Sequence, residues 1–134
     1  MKLALRNHCP STRVFVVEDD DAVREGMRTL LEGEGYQVSC YATALDFLSD
    51  AAPTDNDVVV LDIGLPDLLG DAVVAFLKKS GFQPRIIVVS GLKLGPFEAA
   101  VRCIAPEAAY RKPLNLRALL RQLGTVQPYG APRT

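Results

Sequence analysis

Short apolar runs that alternate with stretches of helical period constrain the fold of this chain most. Residues 14–17, 58–61 and 86–89 are apolar at every position, which is typical of strands covered by helices on both faces. We therefore predict that these three strands are central in a parallel sheet. Two weaker runs, residues 36–40 and 108–110, are predicted as its edge strands.

A segment of helical period follows each predicted strand. These segments are residues 21–32, 44–49, 71–79, 96–104 and 114–123. The alternation predicts an α/β fold, a doubly wound parallel sheet of five strands with helices on both faces. We expect residues 13–123 to form one domain. Residues 1–12 and 124–134 are rich in polar residues, glycine and proline, and we expect flexible tails there, or the start of a linker at the second.

Charge balance and hydropathy argue against two classes of partner. The chain has 15 basic and 16 acidic side chains, so it lacks the positive excess that binding to nucleic acid requires. No apolar run approaches the roughly 20 residues that span a bilayer. The first residues also lack the apolar core of about 7 to 15 residues that a secretory signal needs. We therefore expect a cytoplasmic protein that binds neither nucleic acid nor a membrane directly.

The cysteines do not form a recognisable metal site or disulfide pattern. Cys9, Cys40 and Cys103 lie far apart without a CxxC pair, and His8 is the only histidine that could join them. We expect reduced cysteines that are mostly buried, as this residue type usually is.

Carboxylates follow two of the predicted central strands. The first strand is followed by residues 18–21, which are all acidic, and the third by Asp62. Because function in an open parallel sheet lies beyond the carboxyl ends of the strands, these groups are expected to converge. Like charges repel, and a set of oxygen ligands without histidine or cysteine suits a hard divalent ion. The sequence therefore predicts a site for Mg²⁺ or Mn²⁺.

Structural alternatives stay open for some of these carboxylates. Asp20 or Asp21 could simply cap the first helix, and we prefer that interpretation for one of them. Asp62 could bond the N–H groups of its own loop in an Asx turn. For an isolated aspartate at a strand end, this alternative has the same weight as a functional role.

Two further polar residues favour the functional interpretation of Asp62. Ser90 ends the fourth strand and Lys112 ends the fifth. A carboxylate nucleophile, an acidic pair for a metal, a hydroxyl and a mobile cation are the groups that phosphoryl transfer needs for positioning and charge neutralisation. Together they indicate chemistry on a phosphoryl group.

Four motifs then resemble the CheY-like receiver domains of two-component response regulators. They are V-F-V-V-E-D-D-D-A-V-R, V-V-V-L-D-I-G-L-P-D-L-L-G, I-I-V-V-S-G and Y-R-K-P, in this order. The resemblance covers about residues 13–123 and implies a flavodoxin-like (βα)5 fold with the strand order 2-1-3-4-5. It also implies a phosphoacceptor domain of a two-component or phosphorelay system.

The resemblance assigns a role to each residue of the predicted site. Asp62 would accept a phosphoryl group from a sensor histidine kinase or a histidine phosphotransfer protein. Mg²⁺ would be held by Asp19, Asp62 and the backbone carbonyl of Gly64, with Glu18 acting through a water molecule. Ser90 and Lys112 would bind phosphoryl oxygens, and the peptide bond between Lys112 and Pro113 would be cis.

The resemblance also implies a switch and an output surface. Tyr110 would turn inward when Ser90 moves towards the phosphoryl group, and the surface of the fourth helix, fifth strand and fifth helix would respond. The segment 93–106 contains Gly95, Pro96 and Pro106, so we expect a short or displaced fourth helix. Receivers of this kind are monomers or weak dimers that form on phosphorylation.

Gly64 marks a departure from the family and also bears on a competing function. A larger side chain often stands at its position in receivers, so glycine should leave the site more open to water. A haloacid-dehalogenase-type phosphatase would need an acid there, which disfavours that enzyme. No glycine-rich phosphate motif follows the first strand.

A receiver-like interaction module that is never phosphorylated is a further alternative. Otherwise the expected chemistry is limited to Mg²⁺-dependent self-phosphorylation and autodephosphorylation at Asp62, so we expect a signalling domain and not an enzyme. His8 lies in a predicted tail, so the phosphoryl donor must be another molecule.

Overall fold

A computed structural model describes residues 12–65, 67 and 69–124 of the chain. Five strands and five helices alternate along them, and the strands form one parallel sheet in the order β2-β1-β3-β4-β5. This confirms the predicted fold class and the predicted edge strands. The elements are β1 Arg13–Val17, α1 Asp21–Gly33, β2 Gln37–Tyr41, α2 Ala44–Asp50, β3 Val58–Asp62, α3 Gly70–Lys79, β4 Arg85–Ser90, α4 Leu94–Ile104, β5 Ala108–Arg111 and α5 Leu116–Gly124.

Side chains of the central strands alternate between two buried layers, as the pleat of a strand requires. On one face, Phe15 and Leu61 pack in a cluster with α2, α3 and α4. On the other face, Val16 and Val60 pack with α1 and α5. Strand β3 is buried at every position, which is the reason why its sequence is apolar throughout.

Helix α4 was expected to be short or displaced, and the structure contradicts the first of these two forms. It has 11 residues, so it is not short. Pro96 lies in its first turn, where the missing N–H costs no intrahelical hydrogen bond because the carbonyl four residues earlier, that of Leu92, lies outside the helix.

Helix α5 begins two residues later than predicted. The side-chain Oδ1 of Asn115 accepts hydrogen bonds from the N–H groups of Arg117 at 3.0 Å and Ala118 at 3.2 Å. Asparagine is a favoured residue at the N-cap, so Asn115 determines where the helix starts.

The expected burial of the cysteines is wrong for one of them. Cys40 is half-buried and Cys103 is exposed on α4. Ile104 is the buried residue of this helix, and neighbouring residues lie about 100° apart around a helix axis, so Cys103 faces away from the core. Cys9 and the predicted tails, apart from residues 12 and 124, lie outside the described residues.

The start of α3 packs closely on the residue that follows β3. A Cβ atom added at Gly70 would lie 2.5 Å from Cγ2 of Ile63, closer than nonbonded carbon atoms approach each other. Gly70 therefore permits α3 to begin directly against Ile63, one residue beyond Asp62.

Candidate functional site

The predicted site residues meet at the carboxyl edge of the sheet. The parallel register pairs Val17 with Leu61, and Asp62 with Val89. Glu18 and Ser90 therefore flank Asp62 from the two neighbouring strands. Lys112 follows β5, and its N–H donates to the carbonyl of Ser90 at 2.7 Å.

Asp62 is almost completely buried, with 3% of its surface exposed. Its Oδ1 accepts a hydrogen bond from the N–H of Gly64 at 2.8 Å. Its Oδ2 accepts one from Nζ of Lys112 at 3.0 Å. The Asx turn considered above therefore exists, but it uses only one carboxylate oxygen and leaves the other directed at the cluster.

Glu18 is completely buried, and its two oxygens have different environments. Oε2 accepts hydrogen bonds from the N–H of Asp20 at 3.1 Å and from Nζ of Lys112 at 3.0 Å. Oε1 lies 2.9 Å from the same Nζ. Its angles do not fit a hydrogen bond, and it has no hydrogen-bond partner among the described residues. Burial raises the pKa of Glu18, and the hydrogen bond from Lys112 only partly offsets this.

Lys112 is the cation that bridges the two buried carboxylates. Burial alone would lower its pKa, but the hydrogen bonds to Glu18 and Asp62 outweigh burial and hold the pKa above its usual value. Lys112 is therefore charged over the whole neutral range. The peptide bond between Lys112 and Pro113 is cis in the structure.

Ser90 and Tyr110 are the two residues expected to report phosphorylation. Ser90 is completely buried, and its Oγ accepts a hydrogen bond from the N–H of Leu92 at 2.9 Å. Its hydroxyl hydrogen can still be donated. The half-buried Tyr110 donates its hydroxyl to Oε1 of Gln122 on α5 at 3.4 Å.

A metal ion fits the acidic cluster by its chemistry. Glu18, Asp19 and Asp62 each offer a carboxylate oxygen, and these oxygens lie within 4.8 Å of one another. One lysine faces these three carboxylates, so negative charge is in excess. The buried Oε1 of Glu18 lacks a hydrogen bond among the described residues. An oxygen-only set with uncompensated charge is what a hard divalent cation such as Mg²⁺ requires.

Asp20 and Arg24 support the cluster from α1. Asp20 caps the helix, and its Oδ1 accepts from the N–H of Val23 at 3.0 Å, as we preferred for one of these aspartates. Arg24 donates from Nη1 to the carbonyl of Glu18 at 2.8 Å. The contact fixes the backbone on which Glu18 and Asp19 are placed.

Sequence reasoning does not identify Asp67, which lies in the loop between β3 and α3. Its Oδ1 accepts from the N–H of Ala44 at 3.2 Å, and its Oδ2 accepts from the N–H of Leu45 at 2.9 Å. Both donors belong to the first turn of α2, which is remote in sequence. A motif search could not find this contact, because it depends on how α2 packs beside the loop.

Comparison with known proteins agrees with this geometry. The sequence profile of the response regulator receiver domain matches residues 14–123. The chain therefore belongs to the family of response-regulator receiver domains, which act in two-component signalling.

Individual relatives lead to the same family. The response regulator protein TmoT of Ectopseudomonas mendocina is 32% identical over 114 residues, which cover 84% of this chain and 51% of TmoT. The transcriptional regulatory protein FixJ of Azorhizobium caulinodans is 36% identical over 81 residues, 60% of this chain and 38% of FixJ. The chain thus spans about half or less of these curated relatives.

A solved structure supports the fold. A CheY-like response regulator receiver domain protein from Methanospirillum hungatei superimposes with a TM-score of 0.71 at 28% identity, covering 86% of this chain and 92% of that one. Among the described residues, no helix is long and apolar enough to cross a bilayer.

Proposed function

We propose that Asp62 accepts a phosphoryl group from a histidine of a sensor kinase or a phosphotransfer protein, in a reaction that depends on Mg²⁺ or Mn²⁺. One observation carries this proposal: the buried carboxylate of Asp62 directs Oδ2 to Lys112 within a cluster of uncompensated negative charge. A structural aspartate at this depth would be neutralised by its partners.

The chemistry transfers one group between two side chains. An oxygen of Asp62 forms a bond to phosphorus while the bond from phosphorus to the donor imidazole nitrogen breaks, and the imidazole keeps that electron pair. The N–H of Gly64 orients the carboxylate through Oδ1. Lys112 passes from Oδ2 of Asp62 to a phosphoryl oxygen, where it balances developing charge.

The acidic residues and a backbone carbonyl would hold the metal. Asp19, Asp62 and the carbonyl of Gly64 would bind it directly, and Glu18 would act through a water molecule. When bound, Mg²⁺ neutralises the carboxylates and the phosphoryl oxygens.

The phosphorylated state would be reported through Ser90 and Tyr110. The hydroxyl of Ser90 would donate to a phosphoryl oxygen, and Tyr110 would then exchange its contact with Gln122 for an inward position. Helix α4, β5 and α5 would change their surface through a biased equilibrium between two arrangements. The domain responsible would span residues 13–123 in the cytoplasm, as a monomer or a weak dimer that forms on phosphorylation.

A groove beside the site offers space for the donor protein. Its volume is about 580 Å³, and it lies between α1 and the segment after β5. Its lining is mostly apolar apart from Lys112, so a helix that presents the donor histidine could bury apolar side chains there. The residues are Ala22, Val23, Gly26, Lys112, Pro113, Leu114 and Leu116.

Gly64 should shorten the lifetime of the phosphorylated state. A Cβ atom at this position would lie 3.4 Å from Oδ1 of Asp62, so a side chain would cover one side of the carboxylate. We expect Gly64→Met to retain the phosphoryl group longer than the wild type after the phosphoryl donor is removed. Intact mass recorded over time measures the decay, and an unchanged half-life would contradict the proposal.

The first experiment incubates the chain with acetyl phosphate and Mg²⁺ and records the intact mass. We expect a gain of one phosphoryl group in the wild type and no gain in Asp62→Asn. Asp20→Asn is the matched control, because it changes a nearby aspartate outside the cluster and keeps a good N-cap residue, so it should still gain the group. The absence of a gain in the wild type would favour the unphosphorylated interaction module.

A further inference from the structure

The loop between β3 and α3 carries Gly64 and must hold that residue in place. Ile63 and Leu65 on either side of it are buried in the core, and the N–H of Ile63 donates to the carbonyl of Val89 at 3.1 Å. These contacts anchor the side chains of Ile63 and Leu65. They do not fix the part of the loop that continues to α3.

Among the described residues of the second part of the loop, no side chain caps the helix that the loop enters. Leu69 is the N-cap residue of α3, and its side chain makes no capping hydrogen bond. Asp67 is the only ionisable residue between Asp62 and Gly70. Its carboxylate caps α2 instead, through the N–H groups of Ala44 and Leu45.

Helix α2, which supports this contact, is packed on the core. Phe47 of α2 is completely buried, and its ring packs edge-on against Phe15 of β1 at 6.1 Å and Tyr41 of β2 at 5.6 Å between centroids. A carboxylate at a helix N-terminus is also favoured by the helix dipole. The contact of Asp67 therefore ties the loop, through α2, to the two strands on the other side of the acidic cluster.

We propose that Asp67 is a positioning residue for phosphoryl transfer, which holds the loop of Gly64 in register with Asp62 by capping α2. The inference rests on the proposed function of Asp62. It assigns to Asp67 no contact with the phosphoryl group or the metal. Its effect is on the position of the loop backbone.

The test compares three variants in the acetyl phosphate reaction at a limiting Mg²⁺ concentration, with the initial rate followed by intact mass. Asp67→Ala releases the loop, and we expect a rate about tenfold lower, since a misplacement of about 1 Å can cost up to about 100-fold. Asp67→Asn keeps an acceptor for only one of the two N–H groups of α2, and we expect a rate between those of Asp67→Ala and the wild type.

Thr43→Ala is the matched control for the stability of α2. The Oγ1 of Thr43 accepts from the N–H of Asp46 at 3.0 Å, so this substitution removes a cap from the same helix without touching the loop. We expect a rate within about twofold of the wild type, because it removes only a capping bond.

Two results would overturn the inference: a wild-type rate in Asp67→Ala, or an equal loss of rate in Thr43→Ala. The second would show a general effect of α2 stability. In each of these cases the wild type still gains the phosphoryl group, so the proposed function stands. If the wild type gains none, the proposed function itself has failed.

Discussion

Strand β3 has a buried aspartate at each end, and the two differ in how their charge is balanced. Asp57 precedes the strand and is 1% exposed, whereas Asp62 ends it and is 3% exposed. Asp57 accepts hydrogen bonds from the backbone and side chain of Arg13 and of Thr54. Asp62 accepts one from Gly64 and one from Lys112, and it shares that lysine with Glu18.

The difference separates a structural carboxylate from the one that we propose as the phosphoacceptor. At Asp57 both oxygens are saturated by donors and the charge is paired, so nothing further can bind there. Among the described residues at Asp62, three carboxylates face the single lysine Lys112, and this excess of negative charge is what the proposed cation and phosphoryl group would use. Two carboxylates with similar burial at the two ends of β3 therefore differ in whether their charge is paired.

The largest expected effect is a loss of stability when Asp57 is replaced. Asp57→Ala leaves Arg13 and Thr54 without their acceptor, and we expect the free energy of unfolding to fall by about 3 kcal/mol. This is at the low end for a buried ion pair, because the side chain of Arg13 is 39% exposed. Urea denaturation measures the loss. A loss no larger than that of the exposed Asp71→Ala would break the comparison.

A smaller effect on stability is expected from the binding of Mg²⁺ at Asp62. Mg²⁺ should stabilise the wild type, by about 2.7 kcal/mol at a concentration about 100 times its Kd. Asp62→Asn should lose most of this gain, since a ligand and its charge are removed, whereas Asp57→Ala should keep it. Thermal unfolding with and without Mg²⁺ measures both. An equal gain in Asp62→Asn would place the metal elsewhere.

A low pH should reduce the contribution of Asp57 to the stability of the fold. Burial alone would raise its pKa, but the hydrogen bonds from Arg13 and Thr54 outweigh burial and hold the pKa below its usual value. Its contribution to stability is therefore present above the ordinary pKa of about 3.9 and is lost as the pH falls through the folded-state value. The loss of unfolding free energy in Asp57→Ala, relative to the wild type, should become smaller as the pH falls from neutral to that acidic range. Urea denaturation at several pH values would show it, and a constant deficit would contradict this assignment.

The smallest expected effect is that of Asp62→Asn without metal. Asp62→Asn removes the repulsion from Glu18 and Asp19 but also the attraction to Lys112. The two changes partly cancel, so the free energy of unfolding should rise by no more than about 1 kcal/mol. Urea denaturation in the presence of a chelator tests this. A loss of several kcal/mol would mean that Asp62 is as structural as Asp57.

Sequence reasoning reached the fold and the cluster because both follow from local patterns. The apolar runs identify the central strands, and the parallel geometry then brings together the residues that follow them, such as Asp62 and Ser90. Asp57 was not predicted, since its partner Arg13 is 44 positions away and no spacing indicates the pair. Asp67 was not predicted for the same reason, since its partners on α2 are remote in sequence. Of the two forms expected for α4, short or displaced, the short form was wrong because a proline is compatible with a first helical turn.

The complete burial of β3 also has a consequence for how a signal could leave the site. Its amide groups are paired on both sides with β1 and β4, so they should exchange with deuterium among the last in the protein and open only when the whole domain unfolds. The proposed acceptor, Asp62, therefore lies at the end of a strand that is buried throughout and paired on both sides. Adaptation to a new group on Asp62 has to be carried by loops and outer helices, whose amides exchange sooner.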